Sequence, residues 1–171
     1  MRRQSSHSRS WLILSLLACA PMAWGQTTDC LSFTKQAPSG VTLQTEQIAG
    51  DTVRPPGANA GPLLAAHCKL TGRMAERMGQ DGKPYHIGFE MRLPTQWNGR
   101  LLYQGGGGND GVVRPAVGPQ AAPGYALNRG FAVITTDAGH QNPTADFGFD
   151  PIARTDNAYN AHDKVAVTAK E

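Results

Sequence analysis

One short apolar run constrains the fold of this chain more than any other feature. Phe131–Thr135 reads FAVIT and lies between Gly130 and the polar residues that begin at Asp137. A strand with one face in solvent alternates apolar and polar residues, so a continuous apolar run is typical of a strand covered on both faces. The run therefore predicts a sheet with packed layers on either side, as in α/β proteins.

Upstream of this run the sequence predicts antiparallel strands. The predicted strands are Val41–Ile48, His67–Arg73, His86–Leu93 and Leu101–Gln104. In His86–Leu93 apolar residues alternate with His, Gly, Glu and Arg, which is typical of an antiparallel strand with one face in solvent.

Predicted helices lie on either side of this run in the sequence. A short helix is predicted at Tyr125–Arg129, ended by Gly130, and a second begins at Ala158 after a polar loop. The second helix is expected to be capped by Asp156 or Asn157. Its predicted apolar face comprises Tyr159, His162, Ala166 and Ala169, flanked by Val165. This order predicts an α/β fold in which antiparallel strands lead into a mostly parallel sheet.

The first 25 residues are predicted to be a signal peptide. Met1–Ser10 is basic and polar, Trp11–Ala20 is apolar, and small residues favour cleavage after Gly25. The apolar run is too short to cross a hydrocarbon core of about 30 Å, so no membrane anchor is expected. Lipidation at Cys19 remains a weaker alternative. The mature chain, residues 26–171, is expected to be secreted or periplasmic.

The net charge does not indicate a nucleic-acid or membrane partner. The formal charge of +3 comes from Arg2, Arg3 and Arg9, and without them 13 basic residues balance 13 acidic ones. A basic surface patch for phosphate groups is therefore not expected.

The mature chain keeps two cysteines, Cys30 and Cys68. In an oxidising compartment two cysteines most simply form one disulfide. Closing a loop of this size stabilises the fold by about 4 kcal/mol in the chain-entropy model. A metal site is a poorer explanation, because neither cysteine has a C-x-x-C partner and His67 adjoins Cys68 directly.

Four consecutive glycines, Gly105–Gly108, follow the strand at Leu101–Gln104. Such a backbone approaches a ligand closely and offers bare N–H groups. A phosphate loop would end in Gly-Lys-Ser/Thr and open a helix, whereas Asn109-Asp110-Gly111 follows here. A dinucleotide fingerprint would also need a helix at this point. An oxyanion loop fits better, and a flexible turn remains the alternative.

Other polar residues offer weaker candidates. Asp137 and His140 follow the buried strand, where His140 is a candidate acid, base or ligand, or orders the loop by hydrogen bonding. Asp146 and Asp150 are candidate cation ligands, although a solvated loop is favoured. No nucleophile is evident. The sequence has no G-x-S-x-G, and the mature chain holds only two serines, neither in a strand-to-helix elbow.

Three segments together are similar to the tannase and feruloyl esterase family. They are GFEMRLPTQWNGRLLYQGGGGNDG, GYALNRGFAVITTDAGHQ and NAYNAHDKVAVTAKE, in this order. The resemblance implies the N-terminal part of a secreted α/β-hydrolase, a serine esterase with a Ser-His-Asp triad. Its implied substrates are small aromatic-acid esters such as galloyl or feruloyl esters.

The resemblance also implies roles for single residues. The N–H group of Gly106 or Gly107 would belong to the oxyanion hole, and Gly105 and Gly108 would allow the turn. Asp137 and His140 would support the loop structurally, and Cys30 and Cys68 would form the N-terminal disulfide. The triad and a calcium-bearing lid are expected beyond Glu171.

Two hypotheses follow for the chain itself. As part of an esterase, the 171 residues alone are expected to be inactive and poorly folded. As a secreted, noncatalytic β-rich binding module, they would form a stable monomer with a cooperative melt. The sequence favours the esterase and leaves the oligomeric state open.

Overall fold

The computed structural model describes residues 29–55, 57–121 and 124–171. The predicted signal peptide and Cys19 lie outside this part of the chain. The strands are β1 (Val41–Ile48), β2 (His67–Met78), β3 (Pro84–Pro94), β4 (Leu101–Tyr103), β5 (Gln120–Ala121), β6 (Gly124–Tyr125) and β7 (Ala132–Thr136). Five of them form one sheet in the order β1-β2-β3-β7-β4, and β5 pairs with β6 separately.

The main sheet changes from antiparallel to parallel pairing at β7. β1, β2, β3 and β7 pair antiparallel in succession, whereas β4 lies parallel to β7, with Leu102 opposite Val133. The carboxyl ends of β4 and β7 therefore lie at the same edge of the sheet.

The central strand β7 is buried on both faces, as predicted from its sequence. All five of its residues are buried. Ile134 packs on one side in a cluster with Phe89 and Val165, and Val133 packs on the other side with Leu127. Each fully buried side chain of this size contributes about 1.5–3 kcal/mol relative to exposure.

The strand β3 is covered on both faces, so the prediction of one solvent face was wrong. Arg92 is only 3% exposed, and its Nε donates to Oε1 of Glu90 at 2.7 Å. The N–H of Ala116 donates to the same oxygen, and Arg92 Nη1 lies 3.1 Å from Nε2 of buried His67. Burial lowers the pKa of His67. These polar groups pair with one another, which allows a neighbouring loop to cover them.

The described residues form two short helices besides those near the C-terminus, of which one was predicted from the sequence and the other was not. A 3₁₀ turn at Leu127–Arg129 ends at Gly130, whose φ of 82° is left-handed. The predicted helix end was therefore correct, whereas Tyr125, predicted to begin the helix, lies in β6. Near the N-terminus a short helix, α1, spans Ser32–Lys35.

The last helix begins earlier than predicted. A 3₁₀ turn occupies Ala145–Phe149, and α2 (Pro151–Thr155) follows with Asp150 as its N-cap. The predicted caps, Asp156 and Asn157, lie instead inside a π-helical turn that leads into α3 (Ala161–Thr168). An acidic cap followed by Pro at the first helical position is a usual helix start.

The π-helical turn also changes which face of the helix is buried. Tyr159, predicted to face the core, is 64% exposed, whereas Ala161 and Val165 are buried. A π turn contains an extra residue and so rotates the residues that follow relative to a regular helix. The prediction was therefore correct at the flanking residue Val165 and wrong at Tyr159.

The two cysteines that follow the predicted signal peptide are joined. Cys30 and Cys68 form a disulfide with their Cα atoms 5.4 Å apart, which ties the segment before α1 to β2. Both residues are buried in the core. Within the described ranges, no helix has the length and apolar character needed to cross a membrane.

We expect Gly72→Ala to destabilise the fold, because Gly72 lies opposite Phe89 across β2 and β3. A Cβ at this position would overlap the Phe89 ring. Overpacking of this kind costs about 1–3 kcal/mol, which denaturant unfolding would measure. Gly148→Ala is the control, since a Cβ there meets nothing within 4 Å. Equal losses in the two variants would contradict this account.

Candidate functional site

The candidate site lies where β4 and β7 end. Because the two strands are parallel neighbours, the tetraglycine loop after β4 and the loop from Asp137 to Asn142 meet at one edge of the sheet. This is the edge at which α/β proteins usually bind ligands.

The two loops are in direct contact. The N–H of Gly111 donates to the carbonyl of Asp137 at 3.0 Å, and Nδ2 of Asn109 donates to the carbonyl of Pro143 at 3.3 Å. Gly111 has a left-handed φ of 79°, and a Cβ there would overlap the carbonyl of Asn142. The tetraglycine loop is therefore held at its far end by the loop after β7.

Asp137 anchors the end of β7. Its carboxylate is buried and accepts hydrogen bonds from the N–H groups of Gly88 and Gly139 and from Nε2 of Gln141. Burial raises the pKa of Asp137, and these hydrogen bonds oppose the rise. The carboxylate is thus engaged in joining β7 to β3 and shaping the turn that follows.

His140 is enclosed by the same loop. It is 1% exposed, its Nδ1 lies 2.8 Å from the carbonyl of Asn142, and its Nε2 lies 3.3 Å from Nδ2 of Asn157. Its ring stacks on Phe147 at 4.0 Å. Both ring nitrogens therefore have partners in the surrounding structure, an arrangement suited to ordering a loop.

The tetraglycine loop itself is exposed and only partly hydrogen-bonded. The N–H of Gly107 donates to Oδ1 of Asp110 at 2.8 Å. Among the described residues, no acceptor contacts the N–H groups of Gly105, Gly106 or Gly108. Preorganised N–H groups without an internal partner are what an oxyanion hole requires.

Tyr103 and His162 form a pair that the sequence did not reveal. The Tyr103 hydroxyl lies 3.1 Å from Nδ1 of His162, which links the residue two positions before the tetraglycine to α3. Burial raises the pKa of Tyr103 to about 12, with contributions from Asp110 and Asp137, so the phenol is neutral at physiological pH. The sequence predicts only that His162 lies on one face of the last helix.

The two acidic cation candidates serve other purposes. Asp150 is fully buried and accepts from Nη2 of Arg77 at 2.6 Å and from the N–H groups of Gln80 and Ala153. Asp146 is exposed, with Lys83 4.0 Å away. The part of the chain that the structure describes contains no group of three His, Cys, Asp or Glu residues suited to a metal.

Two serines, Ser32 and Ser39, follow the predicted signal peptide. The Ser32 hydroxyl donates to the carbonyl of Asp29 at 2.7 Å, and Ser39 is exposed in the turn before β1. Neither hydrogen-bonds to a histidine within the described ranges. The described residues therefore present a glycine loop with N–H groups that have no internal acceptor, and no serine that is paired with a histidine.

A glycine loop after one strand of a parallel pair, beside a strand buried on both faces, is an arrangement found in α/β-hydrolases. Residues 68–171 match the model of the tannase and feruloyl esterase family. The chain belongs to that family, as its sequence motifs predicted.

Known proteins show the same relationship. The chain is 40% identical over 126 residues to mono(2-hydroxyethyl) terephthalate hydrolase of Piscinibacter sakaiensis. This alignment covers 67% of this chain and 21% of that protein. It is 29% identical over 113 residues to an uncharacterized esterase of Agrobacterium fabrum, covering 63% and 19%. The chain thus spans about a fifth of the length of these relatives.

Solved structures support the fold. Feruloyl esterase B from Aspergillus oryzae superposes with a TM-score of 0.63 at 23% identity, covering 81% of this chain and 27% of that one. A second esterase from Aspergillus oryzae gives a TM-score of 0.61 at 21% identity, covering 81% and 28%. The predicted α/β-hydrolase fold is confirmed.

We expect Asp150→Asn to lower the free energy of unfolding at neutral pH. We also expect this free energy to change less with pH in the acidic range than it does in the native sequence. The Arg77 guanidinium holds the pKa of Asp150 well below its usual range. The resulting stabilisation is present above the ordinary Asp pKa and is lost as pH falls through the lowered one. Losing the charged hydrogen bond costs about 1.5–3 kcal/mol, measured by urea unfolding between pH 7 and pH 2.

The matched control is Asp146→Asn, which removes an exposed carboxylate near Lys83. We expect it to change stability by less than about 0.5 kcal/mol. If Asp150→Asn and the native sequence lost stability in parallel as the pH fell, the ion pair would not be responsible for the acid dependence.

Proposed function

We propose that this chain is part of a secreted or periplasmic serine esterase that hydrolyses small esters of aromatic acids. The observation that carries the proposal is the N–H of Gly106. It has no acceptor among the described residues. Its loop is hydrogen-bonded to the end of the buried strand β7, because the N–H of Gly111 donates to the carbonyl of Asp137.

The proposed chemistry is acyl transfer. A serine attacks the ester carbonyl, a histidine takes the serine proton, and the carbonyl oxygen gains negative charge. A loop N–H that donates to this oxygen stabilises the transition state, and one such donor is worth about 2.7–4 kcal/mol. In this proposal the tetraglycine loop supplies that donor.

The other catalytic groups are proposed to come from sequence outside these 171 residues. Ser32 and Ser39 have no histidine partner in the described structure, and His140 is engaged by its own loop. A structural calcium ion, implied by the family resemblance, is likewise proposed to lie in a lid outside these residues.

The substrate class rests on the relatives. One relative is named for hydrolysis of mono(2-hydroxyethyl) terephthalate, an ester of an aromatic acid, and one structural neighbour is a feruloyl esterase. Export is proposed from the signal-like sequence of residues 1–25.

A chimera tests the proposal. Residues 68–171 replace the matching segment of the Piscinibacter sakaiensis hydrolase, and hydrolysis of mono(2-hydroxyethyl) terephthalate is measured beside the 171-residue chain alone. We expect the chimera to hydrolyse the ester and the isolated chain to show no turnover. In the chimera, Gly106→Pro removes the N–H and is expected to lower kcat by about 10²–10³-fold.

Gly105→Ala is the control, since it keeps its N–H and a Cβ there meets nothing within 4 Å. We expect it to retain kcat within about threefold, on the scale of a mutation that removes no transition-state contact. A chimera that melts cooperatively like its parent yet hydrolyses no ester would refute the proposed function.

A further inference from the structure

We propose that Asp110 is the positioning residue of the tetraglycine loop. Its carboxylate engages the N–H of Gly107 and fills the space beside Gly106, so that Gly106 rather than Gly107 offers the free donor. The catalytic meaning of this inference rests on the proposed function, whereas the loop conformation that it describes does not.

The first observation is a reciprocal pair of hydrogen bonds. Oδ1 of Asp110 accepts from the N–H of Gly107 at 2.8 Å, and the N–H of Asp110 donates to the carbonyl of Gly107 at 3.3 Å. The two bonds close a four-residue turn. The Gly107 N–H is therefore occupied before any substrate arrives.

The second observation concerns the four glycines individually. A Cβ at Gly106 would overlap Oδ1 of Asp110, whereas a Cβ at Gly105, Gly107 or Gly108 would meet nothing within 4 Å. At Gly106 the side chain is excluded by contact with Asp110. The carboxylate thus packs directly against the residue that carries the proposed donor.

The third observation is the conformation that the turn imposes. Gly108 has a φ of 64° and Asp110 a φ of 54°. The left-handed region is unfavourable for a residue with a Cβ, although Asp tolerates it better than most. The hydrogen bonds to Gly107 help to hold Asp110 in this conformation.

Asp110 is also tied to the buried core. The next residue, Gly111, donates to the carbonyl of Asp137, and Asp137 is itself buried and bonded to Gly88 of β3. This chain of contacts fixes the carboxylate relative to β7. Asp110 is therefore held in place relative to the sheet, and its hydrogen bonds hold the exposed tetraglycine loop in turn.

A double-mutant cycle on thermal unfolding tests the contact without relying on activity. It is measured in the chimera described above, with Gly106→Ala, Asp110→Gly and the double variant. We expect Gly106→Ala to lower Tm by several degrees when Asp110 is present and by less than a degree in the Asp110→Gly background. Equal shifts in the two backgrounds would overturn the proposal.

Glycine-specific ¹⁵N labelling then tests the hydrogen bond. The Gly107 amide is expected to exchange with solvent at least tenfold more slowly than that of Gly106. Asp110→Asn, which keeps an acceptor oxygen, should preserve this difference, and Asp110→Ala should abolish it. Protection of Gly107 that survives Asp110→Ala, or protection of Gly106 equal to that of Gly107, would also overturn the proposal.

The kinetic arm separates this inference from the proposed function. In the chimera we expect Asp110→Ala to lower kcat at least tenfold with little change in KM, and Asp110→Asn to restore kcat to within about threefold. If the double-mutant cycle shows coupling and the Gly107 amide is protected, but the chimera hydrolyses no ester, the proposed loop conformation is supported and the proposed esterase function is refuted. Hydrolysis with kcat unaffected by Asp110→Ala would refute the positioning role.

Discussion

The burial of β7 on both faces is the constraint on which the rest of the structure depends. A strand of this kind needs a hydrogen-bonded neighbour on each edge and an apolar layer over each face. β3 and β4 supply the edges, and two separate clusters supply the layers. Because β4 pairs parallel with β7, the loops that follow both strands are brought together at one edge. The site is thus a consequence of how the central strand is buried.

Buried carboxylates connect this core to its loops. Asp137 and Asp150 are both nearly inaccessible to solvent, and each accepts several backbone N–H groups. Burying a charge is costly unless it is compensated by such hydrogen bonds. These buried acidic residues therefore act as structural links. Asp150, which the sequence offered with Asp146 as a candidate cation ligand or as part of a solvated loop, is instead paired with Arg77.

Much of the fold was predictable because its signals are local. The strand predicted at Val41–Ile48 and the apolar run at Phe131–Thr135 correspond to β1 and β7, and the order of motifs identified the family. The start of the last helix was missed even though Asp150 and Pro151 are a recognisable cap. The buried polar face of β3 was not predictable, because it depends on a covering loop and on the pairing of Glu90 with Arg92.

Residues of the site were harder to predict for the same reason. The glycine loop was evident from the sequence alone, but the different contacts of Gly106 and Gly107 depend on the carboxylate of Asp110, four and three residues away. The pairing of Tyr103 with His162 joins residues 59 positions apart. No local pattern in the sequence encodes a contact of that separation.

The aromatic ring that covers Gly72 has a further consequence for how this sheet evolves. Phe89 occupies the volume that a side chain at position 72 would need, so neither position can vary freely while the other stays fixed. A smaller residue at 89 would leave a void above the glycine, and a larger residue at 72 would displace the ring. Related sequences are therefore expected to change these two positions together, as a correlated pair across neighbouring strands.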